Sequence, residues 1–232
     1  VTPRAAERVV EPRYYDKLGR ELPADAPGDQ VAEAVYDIPL RKGIRYAPHP
    51  AFARDASGEY LYHDMTAAQT ADKRTPFDFP QTGTRELTAH DYVYAFKRLA
   101  TTRIKSPSFS TFADHVVGLK DYGEKVAAFD KELRATVDPA SRDLPFLDFR
   151  AIDLAGVQAL DDHTLRVRLN GKYPQFKYWL TMVFTAPVPW EADKFYAQPG
   201  FNEKNLSLNY WPVGTGPYML VEYQENRRHV LE

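Results

Sequence analysis

The sequence of 232 residues contains no cysteine, which excludes disulfide bonds, thiolate metal sites and cysteine nucleophiles together. A small secreted scaffold would need disulfides to compensate for its small core, so a cysteine-free chain of this length is more typical of a periplasmic or cytosolic bacterial protein. Long apolar runs are also missing, and none approaches the roughly 20 residues that a membrane-spanning helix requires.

An excess of one charge is absent too, because 30 Lys and Arg residues stand against 32 Asp and Glu residues, for a formal net charge of −2. This balance argues against nucleic acid as a partner. Aromatic residues, in contrast, are plentiful, with 15 Tyr and 13 Phe. We expect most of them in the core and some at half-buried surfaces or ligand contacts.

The patterns that mark catalytic or metal sites are also missing. The six histidines show no H-E-x-x-H motif and no i, i+4 pair, and no G-x-S-x-G occurs. The cluster Asp161-Asp162-His163 has metal-ligating side chains, but neighbours in a tight turn rarely converge on one ion, and Asp favours turns. We therefore predict a turn there, no metal site, no cofactor and no enzymatic activity.

The first part of the chain is irregular in pattern. Residues 1–34 are rich in Pro, Arg and Ala, and the prolines break any helix, which predicts an extended segment. Alternation over Val35–Leu40 predicts a strand, and Ile44–Tyr46 predicts a short second one. Residues 47–86 are polar and proline-broken, too long for an ordinary connection, and indicate a functional loop or an insertion.

Two helices are predicted in the middle of the chain. Thr88 and Asp91 form a capping box, and an apolar face from Tyr92 to Ala100 follows it. A second helical spacing runs from Leu119 to Leu133. Between the helices, residues 106–112 read as a loop of small residues with two aromatics.

A hairpin and a glycine turn are the clearest signals in the second half. Residues 156–169 predict a hairpin in which Leu165, Val167 and Leu169 face one way and Arg166 and Arg168 the other. Short helices are predicted after Pro174 and around Trp190–Phe195. Gly214 and Gly216 indicate a backbone path that side chains would block, ahead of a final β-rich segment.

Five segments, taken in order, resemble the peptide-type extracellular solute-binding proteins of ABC importers, family 5, which bind oligopeptides, dipeptides or nickel complexes. The segments are Val35–Tyr46, Glu86–Leu99, Ser106-Pro107, Ala159–Val167 and Pro212–Tyr218. No single motif is decisive, but their order and spacing over about residues 35–232 argue against chance.

The resemblance implies an α/β fold, specifically the mixed-sheet lobe I of a periplasmic-binding-protein type II-like protein. In that interpretation 1–34 is an extended N-terminal segment and 35–232 is the lobe I portion of a two-lobed protein. The second lobe is absent from this chain, so we expect the chain alone to bind free peptide weakly or not at all.

The resemblance also implies a function, namely capture of peptides or similar small solutes by lobe closure. ABC transporter permease subunits are then the protein partners. The location is periplasmic, or the cell surface as a lipoprotein, with only a peripheral relation to the membrane.

The best candidates for a ligand wall are Phe109 and Phe112, which lie among small polar residues such as Ser108 that offer hydrogen bonds. In the oligopeptide branch of the family the matching loop lines the cleft. Anchoring of the loop to the core by the two aromatics is an equally open interpretation. Tyr210 and Trp211, just before the glycine turn, are weaker candidates of the same kind.

Two other functional classes stay open. The same fold occurs as the ligand-sensing domain of transcription regulators, and a basic three-helix segment upstream in the parent gene would favour that class, whereas a signal peptide would favour the importer. An unrelated hydrolase domain would require a cleft in which two titratable side chains meet within hydrogen-bond reach.

Overall fold

The computed structural model describes residues 4–138, 141 and 143–232, so the first three residues of the predicted extended segment lie outside it. Its strands are β1 (Arg13–Tyr15), β2 (Glu21–Leu22), β3 (Glu33–Pro39), β4 (Val157–Asp161), β5 (Thr164–Asn170), β6 (Leu220–Gln224) and β7 (Arg228–Leu231). Its α-helices are α1 (Ala67–Thr70), α2 (Ala89–Leu99), α3 (Phe109–His115), α4 (Leu119–Arg134), α5 (Phe176–Trp179) and α6 (Trp190–Tyr196). Short 3-10 helices cover Pro50–Phe52, Pro76–Asp78, Phe149–Ala151, Val183–Thr185 and Asn202–Lys204.

The chain divides into two compact units. Unit 1 comprises Val1–Lys42, Thr88–Asp130 and Phe149–Pro187. Unit 2 comprises Gly43–Leu87, Lys131–Asp148 and Val188–Glu232. Each unit is therefore built from three separate stretches of sequence.

Unit 1 is organised around a five-stranded sheet in the order β2-β1-β3-β5-β4. The α/β class is confirmed, but every strand pair in the described sheet is antiparallel, so the parallel part of a mixed sheet is not found there. The reason is connectivity, because β1, β2, β4 and β5 form hairpins, and a parallel pair would need a crossover that returns the chain in the same direction.

The two central strands explain the alternation seen in the sequence. Ala34, Tyr36 and Ile38 of β3 share one face with Leu165, Val167 and Leu169 of β5, and all six are buried. This confirms the predicted hairpin and its apolar face.

The opposite face of the two strands carries charge. Arg166 donates to both oxygens of Asp37, at 2.7 and 2.8 Å, and Arg168 donates to both oxygens of Glu33, at 2.6 and 2.7 Å. The hydrogen bond from Arg166 is the main reason that the pKa of Asp37 is lowered. These bidentate pairs fix the register of β3 against β5.

The sequence analysis assigned no strand before Val35, yet β1 and β2 form a hairpin that extends the sheet. β1 is only three residues long, too short for an alternating pattern to be visible. It forms because β3 offers an open edge, and Tyr14 packs with only 8% of its surface exposed.

Both predicted middle helices are confirmed. In α2 the carboxylate of Asp91 accepts from the backbone N–H of Thr88 at 2.9 Å, and Tyr94, Phe96 and Leu99 are buried. The helix packs against β4 and β5. In α4 the buried side includes Tyr122.

Unit 2 holds its short elements together with aromatic rings. Phe79 and Phe201 lie against Phe195 of α6, with centroid distances of 5.1 and 5.4 Å, and α6 packs on the 3-10 helix Pro50–Phe52. The predicted strand at Ile44–Tyr46 is wrong, since only an isolated bridge between Arg45 and Glu86 forms there.

The end of the chain forms a hairpin, in which β7 pairs with β6. Asn226 in the turn adopts the left-handed region with φ of 55°, which Asn tolerates.

The prediction that Gly214 and Gly216 allow a backbone path that side chains would block is wrong. A Cβ on Gly214 or Gly216 would meet its nearest atom only at 3.9 or 4.0 Å, and neither residue has a positive φ.

Candidate functional site

The candidates Ser108, Phe109 and Phe112 lie at the start of α3 rather than in a loop. The predicted loop is wrong from Phe109 onward, because the N–H of Phe112 donates to the carbonyl of Ser108 at 3.1 Å and begins a helix. Ser110 and Thr111, two of the small residues that suggested a loop, instead lie in the first turn of α3.

Phe112 is fully buried in unit 1. Its ring lies 4.8 Å from that of Trp179 and 5.5 Å from those of Phe96 and Phe184, measured between centroids. In this conformation the side chain offers no surface to a ligand. Its geometry matches the anchoring role that the sequence left open.

Phe109 has a more exposed position. It is half-buried, and its ring lies over Gly123 of α4, where an added Cβ would come within 2.7 Å of the Phe109 Cζ. Gly123 therefore serves close packing inside a helix that a glycine otherwise weakens. Ser108 beside it is also half-buried, and a ligand role for this pair stays a prediction.

Tyr210 and Trp211 lie in unit 2, where each packs against another aromatic ring. Tyr210 is half-buried and meets Tyr223 edge-on at 5.2 Å. Trp211 is 7% exposed and meets Phe77 edge-on at 6.0 Å. Trp211 and Phe77 line a small, uncharged pocket of about 40 Å³ together with Pro48, Pro50, Pro76, Pro212, Val213, Met219 and Leu220, among others.

A buried hydrogen-bond relay fixes the Trp211 backbone. The Nδ1 atom of His49 accepts from the N–H of Ala51 at 3.1 Å, so Nε2 carries the proton and donates to the Tyr196 hydroxyl at 3.0 Å. That hydroxyl donates to the carbonyl of Trp211 at 2.8 Å. Burial lowers the pKa of His49 to about 3, which keeps the ring neutral. The sequence analysis missed His49 and Tyr196, because nothing local marks either one.

Unit 1 contains a groove of about 410 Å³ between the N-terminal segment, the apolar face of the sheet and residues 180–187. Its walls include Tyr36, Tyr92 and Val183. The sequence analysis missed it as well, since its outer wall comes from a segment that carried no recognisable structure.

The cluster Asp161-Asp162-His163 lies at the turn between β4 and β5. Asp161 accepts from the backbone N–H of His163 at 2.8 Å, which lowers its pKa and confirms the turn. Asp162 approaches His90 at 3.6 Å, and both side chains are exposed. In the described part of the chain, no three His, Asp or Glu side chains are grouped as metal ligands would be.

None of the helices in the described ranges combines the length and the apolar character that a bilayer span demands.

Comparison with known proteins gives a family match and two close curated relatives. The family model of the bacterial extracellular solute-binding proteins, family 5, matches residues 81–232. The periplasmic oligopeptide-binding protein OppA of Salmonella typhimurium is 33% identical over 146 residues, which cover 63% of this chain and 22% of that protein. OppA of Escherichia coli is 33% identical over 150 residues, with the same coverage. The chain thus spans about a fifth of the length of these relatives.

Solved structures of the same group resemble the chain at lower identity. OppA of Haemophilus influenzae, in complex with RPPGFSPFR, is 19% identical with a TM-score of 0.45, covering 96% of this chain and 32% of that one. OppA of Burkholderia pseudomallei is 20% identical with a TM-score of 0.43, covering 95% and 31%.

Proposed function

Because this chain belongs to the bacterial extracellular solute-binding proteins of family 5, we propose that it is part of a protein that captures peptides or similar small solutes for an ABC importer. The observation that carries the proposal is the family match over residues 81–232, which includes α2, the β4–β5 hairpin and the C-terminal hairpin. The curated relatives named as oligopeptide-binding proteins supply the solute class.

The mechanism is binding without chemistry. In a two-lobed protein the ligand is enclosed when the lobes close around it, and this chain contributes a large part of one lobe. Ser108 and Phe109, at the start of α3, and Tyr210 and Trp211, in unit 2, are the residues we propose for contacts with the solute. Phe112 holds α3 in place from inside the core.

The importer function requires a place outside the cytoplasmic membrane. We propose a periplasmic protein, or a lipoprotein at the cell surface, that delivers its solute to ABC transporter permease subunits. The regulator and hydrolase alternatives have no observation in their favour among the described residues.

Isothermal calorimetry tests the proposal on the parent protein from which the chain comes. A mixture of tri-, tetra- and pentapeptides should bind to the parent protein with micromolar or tighter affinity, and the chain 1–232 alone should bind the same mixture at least 100-fold more weakly. A parent protein that binds no peptide, or a chain that binds as tightly as its parent, overturns it. In the parent protein, Phe109→Ala removes a candidate contact and should weaken peptide binding. Leu18→Ala is the control, because it changes an exposed residue that is not a candidate contact.

A further inference from the structure

The carbonyl of Trp211 lies at a point of the backbone where regular pairing stops. The next residue is Pro212, which has no N–H, and the N–H of Trp211 itself donates to the Ser207 carbonyl at 2.8 Å. In the described part of the chain no backbone N–H reaches the Trp211 carbonyl, and the Tyr196 hydroxyl donates to it at 2.8 Å. This hydroxyl therefore supplies the hydrogen bond that a buried carbonyl requires.

The direction of each hydrogen bond around Tyr196 follows from its partners. The Nδ1 atom of His49 accepts from the Ala51 N–H, so in the neutral ring Nε2 carries the proton and donates to the Tyr196 hydroxyl. The Trp211 carbonyl can only accept. Burial raises the pKa of Tyr196 well above its usual value, so the hydroxyl keeps its proton and directs it to Trp211. His49 thus orients the hydroxyl, and the hydroxyl holds Trp211.

Packing fixes the two side chains that hold Trp211. His49 is 8% exposed and Tyr196 is 9% exposed. The His49 ring lies 5.2 Å from that of Phe195 and 5.6 Å from that of Tyr196, measured between centroids. His49 caps the 3-10 helix Pro50–Phe52, and Tyr196 is the last residue of α6, which packs on that helix. The Tyr196 hydroxyl is therefore a rigid anchor.

The indole of Trp211 also has a defined position. Its ring lies 6.0 Å from that of Phe77 and 6.2 Å from that of Tyr223, with interplanar angles of 76° and 66°. Trp211 and Phe77 both line the small pocket of unit 2. An aromatic side chain contributes more affinity when it is held in place before the ligand arrives, because less conformational freedom is lost on binding.

We propose that Tyr196 is a positioning residue for solute binding, because its hydroxyl, oriented by His49, holds the Trp211 carbonyl and so sets the indole for contact with the solute. The inference rests on the proposed function, in which Trp211 is a candidate contact. Tyr196 acts through Trp211 and does not touch the solute itself.

Calorimetry on the parent protein tests the role of the hydroxyl. The probe is the single peptide that binds most tightly among the tri-, tetra- and pentapeptides of the mixture. Tyr196→Phe removes only the hydroxyl and should weaken this peptide about fivefold, as expected for one lost hydrogen bond. Tyr122→Phe is the matched control, because the buried Tyr122 hydroxyl donates to the Phe149 carbonyl at 3.3 Å in unit 1. It should leave the affinity unchanged.

A double-mutant cycle shows whether Tyr196 acts through Trp211. In a parent protein that already carries Trp211→Leu, the additional change Tyr196→Phe should cause no further loss of peptide affinity. A hydroxyl that only stabilises the fold would instead lower the affinity by the same factor in both backgrounds, and that result would overturn the inference.

Fluorescence of the 232-residue chain follows Trp211 without any peptide. The chain has three tryptophans, so the emission of Trp211 is the difference between a chain and its Trp211→Phe counterpart. We expect Tyr196→Phe to increase the acrylamide quenching of this difference emission, because residue 211 has lost its anchor. Tyr122→Phe should not change it, and equal quenching in Tyr196→Phe and the original chain would contradict the positioning role.

The outcomes separate this inference from the proposed function. A parent protein that binds no peptide overturns the proposed function, and this inference with it. A parent protein that binds peptide, and binds it equally well with Tyr196→Phe and with Tyr122→Phe, overturns the positioning role alone.

Discussion

Arg85 and Glu191 form a bidentate ion pair inside unit 2. The Nε and Nη2 atoms of Arg85 each donate to a different oxygen of Glu191 at 2.7 Å, and Tyr60 donates to the same carboxylate at 3.1 Å. Glu191 is only 2% exposed, so the pair joins the segment before α2 to the first turn of α6 with water excluded from the carboxylate.

Removal of one partner of this ion pair should lower the free energy of unfolding. Arg85→Ala leaves a buried carboxylate without its counter-charge, and we expect the free energy of unfolding to fall by about 3 kcal/mol. Urea denaturation followed by circular dichroism measures the loss. Lys194→Ala is the control, because its partner Asp64 is exposed, and it should cost less than about 1 kcal/mol. Equal losses in the two variants would contradict the importance of burial.

Acid should destabilise unit 2 through His49. The unfolded chain binds a proton at this residue below pH 6.5, while the folded chain does not bind it until about pH 3. Stability from His49 is therefore complete above pH 6.5 and falls by about 1 kcal/mol per pH unit as the pH decreases through that interval. Burial also lowers the pKa of His63, which adds in the same direction.

Urea midpoints between pH 7.5 and pH 4.5 check this slope. His49→Gln keeps a donor and an acceptor but does not titrate, so its stability should depend less steeply on pH than that of the original chain. An unchanged slope would mean that His49 is protonated in the folded protein, contrary to the relay that ends at the Trp211 carbonyl.

The stability costs of substituting Phe109 and Phe112 should differ, because we assign Phe109 to a ligand contact and Phe112 to anchoring of α3 in the core. Phe112→Ala removes a fully buried ring and should lower the free energy of unfolding by about 3 to 5 kcal/mol. Phe109→Ala removes a half-buried ring and should cost less than half as much. Thermal unfolding of the two variants gives the comparison, and a larger loss for Phe109→Ala would show that the packing assigned to α3 is incorrect.

Gly83 should tolerate no side chain. A Cβ there would lie 2.2 Å from the carbonyl oxygen of Phe52, and a backbone atom cannot rotate away. We expect Gly83→Ala to cost more than about 2 kcal/mol of unfolding free energy. Gly214→Ala, whose Cβ would meet only an ordinary contact at 3.9 Å, should change stability by less than about 1 kcal/mol in the same urea assay.

The local patterns of the sequence predicted local structure well. The β4–β5 hairpin, α2 with its capping box, and α4 all follow from residue spacing, because alternation and helical periodicity report directly which face is buried. The five segments that resemble the solute-binding family also led to a family that the comparisons confirm.

Features that depend on contacts between residues far apart in the sequence could not be predicted. β1 is a strand because β3 offers it an edge. Gly83 is tightly packed because the Phe52 carbonyl lies against it, whereas Gly214 is not. The pairing of Arg85 with Glu191 spans 106 positions, and the relay from His49 to Tyr196 spans 147. No window of sequence contains both ends of such contacts.

The account depends most on retention of intact peptide by the parent protein. The purified parent protein is incubated with a mixed peptide library, washed and denatured, and the released peptides are identified by mass spectrometry. We predict that peptides are released above the level of a matched Phe109→Ala variant and that every one is uncleaved. Release of no peptides, or of shortened products, would contradict the claim that the protein captures solutes without altering them.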